Sequence, residues 1–273
     1  MALAMAGFTL GVRSVSSLRP HEEIIPRHVD QLASDMTRDG MQRDPIIIDR
    51  DSAAVLDGMH RLAAFQKLKV ENAVCCAVDY SSPAVRLGRW ARVFRLGASD
   101  PVDAALEEIG GLRRAPLAEA FSVLERRDVG FAVLTAEAAY VSGGRASHED
   151  MVASVLSMDR LAEHRGWERS FVPEDEVDVP LQQPKRLVVL SRRITKDDVV
   201  TAARSGKLFP CKTSMHVIDP RPVAVDFPLA ELNRATTALL KSKLGGTGGR
   251  LLPAGSMYGG RRYKERLLFL DEP

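Results

Sequence analysis

The residues able to do chemistry fall in three short segments. Asp57-Gly58-Met59-His60-Arg61 lies between an apolar run, AAVLD (53–57), and a stretch with apolar residues at helical spacing. A glycine at such a strand-to-helix junction lets the backbone turn tightly and a ligand come close. The unpaired amides at a helix start favour an anion, above all a phosphate. His60 and Arg61 would add donors beside those amides, and a guanidinium fork matches phosphate oxygens. Asp57 could hold a metal or orient a hydroxyl; the alternative is that Asp57 only caps the helix while His60 and Arg61 are solvated. Pro20-His21-Glu22-Glu23 puts carboxylates at the end of an expected strand, where one could act as a general base. An acidic pair in a loop is otherwise simply hydrated. Phe209-Pro210-Cys211-Lys212-Thr213-Ser214-Met215-His216 gathers a lysine, two hydroxyls and a histidine. That set suits an anion or an amino-acid carboxylate, or else forms a polar turn.

Other signals carry less. GGTGG (245–249) is followed by no Lys-Ser/Thr pair and preceded by no strand, so it reads as a linker rather than a phosphate loop. His28, His148 and His164 fall on expected helix surfaces. Arg261, Arg262, Lys264 and Arg266 make a local basic cluster whose simplest role is solvation.

These segments need elements to hold them. Short strands are expected at 13–19, 45–49, 53–57 and 72–79, with helices over 27–39 and after Gly58, an α/β or α+β pattern. Further on, helices are expected over 83–95 around Trp90, near 101–110, and over 117–126, 148–164, 196–205 and 228–243. A hairpin is expected around 130–143, a loop over 173–184, and strands at 186–191 and 223–227. Residues 245–249 would be a joint before a polar tail.

The length of 273 residues gives one large domain or two small ones. With 38 Lys+Arg against 36 Asp+Glu the chain is nearly neutral, so no global field grips a polyanion. No run approaches the length of a membrane span. The apolar N-terminus lacks the basic region of a signal peptide and reads as a lead-in to a strand. Three cysteines without a CxxC argue against a disulfide scaffold and point to a reducing cytoplasm.

The order PHE (20–22), helix, PIII (45–48), then VLDGMHRLAAFQKL (55–68) resembles the ParB/sulfiredoxin-like domain. Within that superfamily it is most similar to the free L-serine kinases, of the archaeal ADP-dependent and the siderophore-pathway ATP-dependent types. Trp90 stands ten residues after Tyr80, where those kinases carry a tryptophan, and GKLFPCKTSMHVI (206–218) resembles their G-x-x-F-x-x-K-[ST]-[ST]-x-H stretch. The likeness spans about residues 10–235 and leaves the joint and tail without a counterpart. Met59 stands where a sulfiredoxin needs its catalytic cysteine, and the helix-turn-helix of a ParB is not evident. Met59 also replaces a second histidine of the archaeal ADP-dependent kinase, as in the siderophore type, which favours ATP over ADP.

The resemblance implies an α+β fold. A ParB/sulfiredoxin-like nucleotide-binding domain would cover 1–98, and a second α/β domain, 99–244, would close over the substrate, with a cleft between them and a linker and tail at 245–273. It implies Glu22 as general base and Asp57 as the group that orients the acceptor hydroxyl or holds Mg²⁺ through water. Gly58, Met59, His60 and Arg61 would cradle the phosphates of ATP or ADP. Trp90 would wall the amino-acid pocket, and Lys212, Thr213, Ser214 and His216 would meet the substrate carboxylate and phosphate. The expected partners are a nucleotide and an amino acid, without membrane or nucleic acid. L-threonine is the alternative acceptor. A ParB-like DNA-binding regulator is the alternative of another class, disfavoured by the near-zero net charge.

Overall fold

The computed structural model describes residues 3–5, 7–144, 147–236, 238–240 and 249–270. The chain divides into two compact units, the first made of Met1–Arg86, Lys196–Cys211 and His216–Pro273, the second of Leu87–Thr195 with Lys212–Met215. The boundaries expected at 98/99 and 244/245 therefore differ from those found. The chain returns to the first unit at Lys196, because its later segments pair with strands and loops of the N-terminal part.

The first unit opens with β1 (Leu3–Met5), β2 (Phe8–Ser14), α1 (Pro26–Asp39), β3 (Met41–Gln42), β4 (Ile46–Asp49), β5 (Val55–Asp57), α2 (Met59–Lys67) and β6 (Asn72–Val78). The sheet order is β1-β2-β6-β4-β5, with β4 parallel to β6 and the other pairs antiparallel. All of β4 and all of β6 after Asn72 are buried, so the central strands read as continuous apolar runs. The strand expected at 13–19 lies earlier: pairing with β6 ends at Ser14, and Val15–Ser17 form a 3₁₀ turn. Helix α1 begins with Pro26 and ends at Gly40 in the left-handed region (φ 65°), burying Val29, Ala33 and Met36. Helix α2 buries Leu62, Ala64 and Phe65.

The second unit holds β7 (Val85–Arg95, which starts at the boundary), α3 (Val102–Ile109), β8 (Leu112–Ala115), α4 (Leu117–Glu125), β9 (Phe131–Leu134), β10 (Ala139–Ser142), α5 (His148–His164), β11 (Glu168–Pro173), α6 (Asp178–Leu181) and β12 (Arg186–Ser191). Its sheet runs β11-β7-β12-β9-β10-β8. The helix expected over 83–95 is the long strand β7, flanked antiparallel by β11 and β12. Its arginines resemble the solvated face of a helix, but Arg89 and Arg92 are 1% and 2% exposed. Glu174 neutralises Arg89 at 2.8 Å and Asp159 neutralises Arg92 at 3.3 Å. Strand β8 and strand β11 were not expected, and the loop expected over 173–184 contains a 3₁₀ turn (Glu174–Glu176) and α6.

The chain then forms α7 (Lys196–Ser205), β13 (Ser214–Ile218), β14 (Arg221–Val223), β15 (Phe227–Pro228), α8 (Leu229–Leu232), β16 (Arg250–Leu252), β17 (Met257–Tyr258), β18 (Arg261–Arg262) and β19 (Leu267–Phe269). The strand expected at 223–227 is split into β14 and β15. Of the helix expected over 228–243, α8 and residues 238–240 are helical, whereas 241–243 and the joint at 245–248 lie outside the described residues. The tail is built into the first unit: β19 pairs parallel with β14 and antiparallel with β16, and β15 pairs with β3.

Gln42, fully buried, shows how side chains complete the first sheet. Its amide donates to the Val74 carbonyl at 2.8 Å and accepts from the Val74 N–H at 2.8 Å, acting as one residue of a neighbouring strand. Gln42→Leu would leave both backbone groups buried and unpaired, at about 1–3 kcal/mol each. The expected outcome is a urea midpoint lowered by about 2–5 kcal/mol of unfolding free energy at unchanged slope.

Candidate active site

Strand β5 ends on Asp57, and the chain turns through Gly58, whose φ of 101° lies in the left-handed region, into α2. A Cβ at Gly58 would lie 3.0 Å from both Nε and Nη2 of Arg61. The guanidinium is thus folded back over the turn, beside the helix amides. Arg61 donates to Asp57 Oδ2 at 3.1 Å and to Asp44 Oδ2 at 3.4 Å. Its Nε is buried and has no hydrogen-bond partner among the described residues. Arg221 donates to the same Asp57 oxygen at 3.0 Å. Burial pushes the Asp57 carboxyl up, but Arg61 and Arg221 outweigh it and hold the group well below the usual carboxylate range.

Met59 opens α2, and His60 follows it. Expected as a phosphate donor, His60 uses Nε2 to accept the Ile25 N–H at 3.0 Å, which ties the loop after Glu22 to the helix. His28, expected as a solvated residue, has its ring 5.7 Å from that of His60.

Glu22 is buried, its position set by the returning chain. Phe209 N–H donates to the His21 carbonyl at 2.9 Å and Glu23 N–H donates to the Phe209 carbonyl at 2.8 Å, a bridge on both sides of Glu22. His21 donates from Nδ1 to the Val55 carbonyl at 2.7 Å, which leaves Nε2 toward Glu22 Oε1 at 3.8 Å. The His21 and His216 rings meet edge to face at 5.4 Å, and His216 Nε2 shares a 2.7 Å hydrogen bond with the Tyr80 hydroxyl. Burial lowers His21 against the opposing pull of Glu22. Burial, reinforced by His21 and Arg221, holds His216 well below the ordinary imidazole value.

In the second unit, Lys212 has φ 59° and sets its Nζ 4.7 Å from the centre of the Trp90 ring, in a cation–π contact. Thr213 and Ser214 are buried. The segment read from sequence as a possible polar turn runs into strand β13, of which every residue is buried. Among residues the sequence reading missed are Arg221, Asp44, Tyr80 and the His21 ring. No local pattern marks Arg221 or Asp44, since each acts on Asp57 or Arg61 only after folding. His21 stood inside a motif singled out for its carboxylates.

The buried, unsatisfied Arg61 Nε, folded over the Gly58 turn at the start of α2, fits a nucleotide phosphate. No group of three or more His, Cys, Asp or Glu side chains among the described residues is placed to hold a metal ion. Mg²⁺ commonly needs only one or two carboxylates together with substrate phosphates. Asp57 fits that use, since both guanidiniums lie on Oδ2 and Oδ1 is its other oxygen.

No family model matches the chain. The ADP-dependent L-serine kinase of Thermococcus kodakarensis is 25% identical over 224 residues, covering 80% of this chain and 90% of that protein. The ATP-dependent L-serine kinase of Staphylothermus marinus is 26% identical over 232 residues, covering 80% and 89%. Among solved structures, a free serine kinase in complex with AMP aligns with a TM-score of 0.68 at 21% identity, over 85% of this chain and 96% of that one. SbnI from Staphylococcus aureus, truncated at its C-terminus, aligns at 0.67 and 13% identity, over 85% and 92%. The fold is therefore the α+β fold of these solved structures. Over most of its length the chain is thus similar to free serine kinases.

Both buried imidazoles are held neutral in the folded chain, so below about pH 6.5 the unfolded chain binds more protons. Their contribution is intact above that pH and is lost as the pH falls, by up to about 1.4 kcal/mol per pH unit for each histidine. The melting temperature should drop from about pH 7 to about pH 5, and more steeply in the parent chain than in His216→Gln. Parallel pH profiles for the two proteins would contradict this assignment.

Proposed function

We propose that the protein transfers the terminal phosphate of a nucleotide, ATP in preference to ADP, to the hydroxyl of free L-serine, giving O-phospho-L-serine. One observation carries the reading: a guanidinium with a buried, unsatisfied Nε folded over a glycine turn at a helix start, next to a strand-end carboxylate. The related enzymes are L-serine kinases, some using ADP and some ATP, which favours serine over threonine and a kinase over a DNA-binding regulator. Met59, in place of a second histidine, is the residue that favours ATP.

Glu22 takes the proton from the serine hydroxyl as its oxygen attacks the terminal phosphorus, and the bond to the bridging oxygen breaks, releasing ADP. Asp57 orients the hydroxyl. Gly58, Met59, His60 and Arg61 hold the phosphates by backbone amides and the guanidinium fork. Asp57 would hold Mg²⁺ brought with the nucleotide, and the ion would supply charge neutralisation on the phosphate oxygens. Lys212, backed by Trp90, pairs with the amino-acid carboxylate. Thr213 and Ser214 offer hydroxyls to that end, and His216 offers its Nδ1. Three buried thiols outside any disulfide fit a reducing cytoplasm.

Phosphorus NMR of the purified chain with ATP or ADP and Mg²⁺, against serine, threonine and homoserine, should show phosphoserine, formed faster from ATP. No phosphoamino acid with either nucleotide sinks the reading. Glu22→Gln should lower kcat by ~10²–10⁴-fold with nucleotide affinity little changed, because a general base acts in the transition state. Arg61→Ala should instead weaken nucleotide binding in a calorimetric titration. Lys212→Ala should raise the serine KM ~10-fold or more, with a smaller change in the nucleotide KM, for loss of a charge-assisted bond. An unaltered serine KM would place the carboxylate elsewhere.

A further inference from the structure

We propose that Arg221, anchored by Glu265 of the C-terminal segment, is a positioning residue for Asp57, and that this segment is thereby part of the phosphotransfer machinery. The proposal rests on the kinase reading above. Arg221 and Glu265 are 3% and 4% exposed. Each nitrogen of the Arg221 guanidinium is committed: Nε to Glu265 Oε1 at 2.5 Å, Nη1 to Asp57 Oδ2 at 3.0 Å and Nη2 to the His216 carbonyl at 2.5 Å. A planar group tied in three directions has no freedom to rotate, so it fixes the carboxylate it meets.

The anchor is itself built in. Residues 221–223 of β14 pair in register with 267–269 of β19, which places Glu265 just before a strand locked to the one that starts with Arg221. Tyr263 lies under the Arg221 guanidinium at 5.6 Å. The same segment reaches the other end of the site, where the Tyr258 hydroxyl donates to Asp44 Oδ1 at 3.0 Å while Asp44 Oδ2 accepts from Arg61. The result is an alternation, Asp44–Arg61–Asp57–Arg221–Glu265, whose two outer carboxylates are both held by or lie within residues 258–265. The solved free serine kinase is matched over 96% of its length by 85% of this chain.

A kinetic double-mutant cycle on the full-length chain tests this, with Glu265→Gln and Asp57→Asn made singly and together and their folding checked by thermal melts. Glu265→Gln should lower kcat by ~10-fold or more while both KM values move by less than ~3-fold, because the defect lies in orientation and not in binding. In the Asp57→Asn background the same change should cost less than ~2-fold, since the residue it positions is gone. Arg221→Lys serves as a second probe should Glu265→Gln unfold. An ammonium keeps the charge but cannot meet three acceptors in one plane, and its kcat should fall likewise. A wild-type chain that makes no phosphoserine removes the kinase reading and this proposal with it. An active wild type in which the Glu265→Gln or Arg221→Lys loss is undiminished in the Asp57→Asn background removes this proposal alone.

Discussion

Two guanidiniums donate to one carboxylate oxygen, and the site in the first unit is arranged around that contact. Taking charges out of water costs several kcal/mol per ion. Here the cost is met by alternation of sign: Arg61 lies between Asp44 and Asp57, and Arg221 between Asp57 and Glu265. Neither of these two cations is left with a single counter-charge. The carboxylate at the centre, Asp57, stays ionised because its neighbours outweigh its desolvation. Its orientation is set from two sides, by a helix that begins at the next turn and by an arginine far along the chain.

The other half of the unit's site runs on the opposite principle. His21, His216 and Tyr80 form a buried contact in which the imidazoles are kept neutral. The acidic side chain beside them is Glu22, its backbone neighbours clamped by hydrogen bonds to Phe209. A carboxylate next to buried imidazoles and a carboxylate between guanidiniums are separated by their surroundings. The separation depends on the chain returning after Lys196, because Phe209, His216 and Arg221 all arrive with that return.

This dependence explains what could be read from the sequence. The strand–glycine–helix junction was legible because its determinants are local: an apolar run, a residue able to take φ above zero, and helical spacing after it. Asp57, Gly58 and Arg61 were picked out as candidates for the same reason, and Glu22 through the family resemblance. Strand β7 was misread because Arg89 and Arg92 look like solvated helix positions until Glu174 and Asp159 are known to bury them. Arg221 and Asp44 were not legible, since neither is unusual until the fold sets it against a partner. The tail was read as polar, with a hairpin-like end and no counterpart in the resemblance. Its charged residues hide the pairing of β19 with β14, where Leu267 is fully buried against a strand of only three residues.

The charge balance of the site bears on how a nucleotide is received. Asp44, Asp57 and Glu265 offset Arg61 and Arg221, and Arg261 adds a further positive charge near Asp57. The cluster therefore has close to no net charge of its own. A site with surplus cations would hold a polyphosphate tightly and give up the product as reluctantly. In a balanced site, attraction comes from oriented dipoles, the amides at the start of α2 and the unsatisfied Arg61 Nε, which act at short range on a phosphate already in place. This also makes the identity of the donor a local matter. Relatives that use ADP and relatives that use ATP stand at nearly equal overall identity to this chain, 25% and 26%. Overall likeness therefore does not separate the two donors. At the start of α2 stands Met59, an uncharged thioether that adds no donor to the turn.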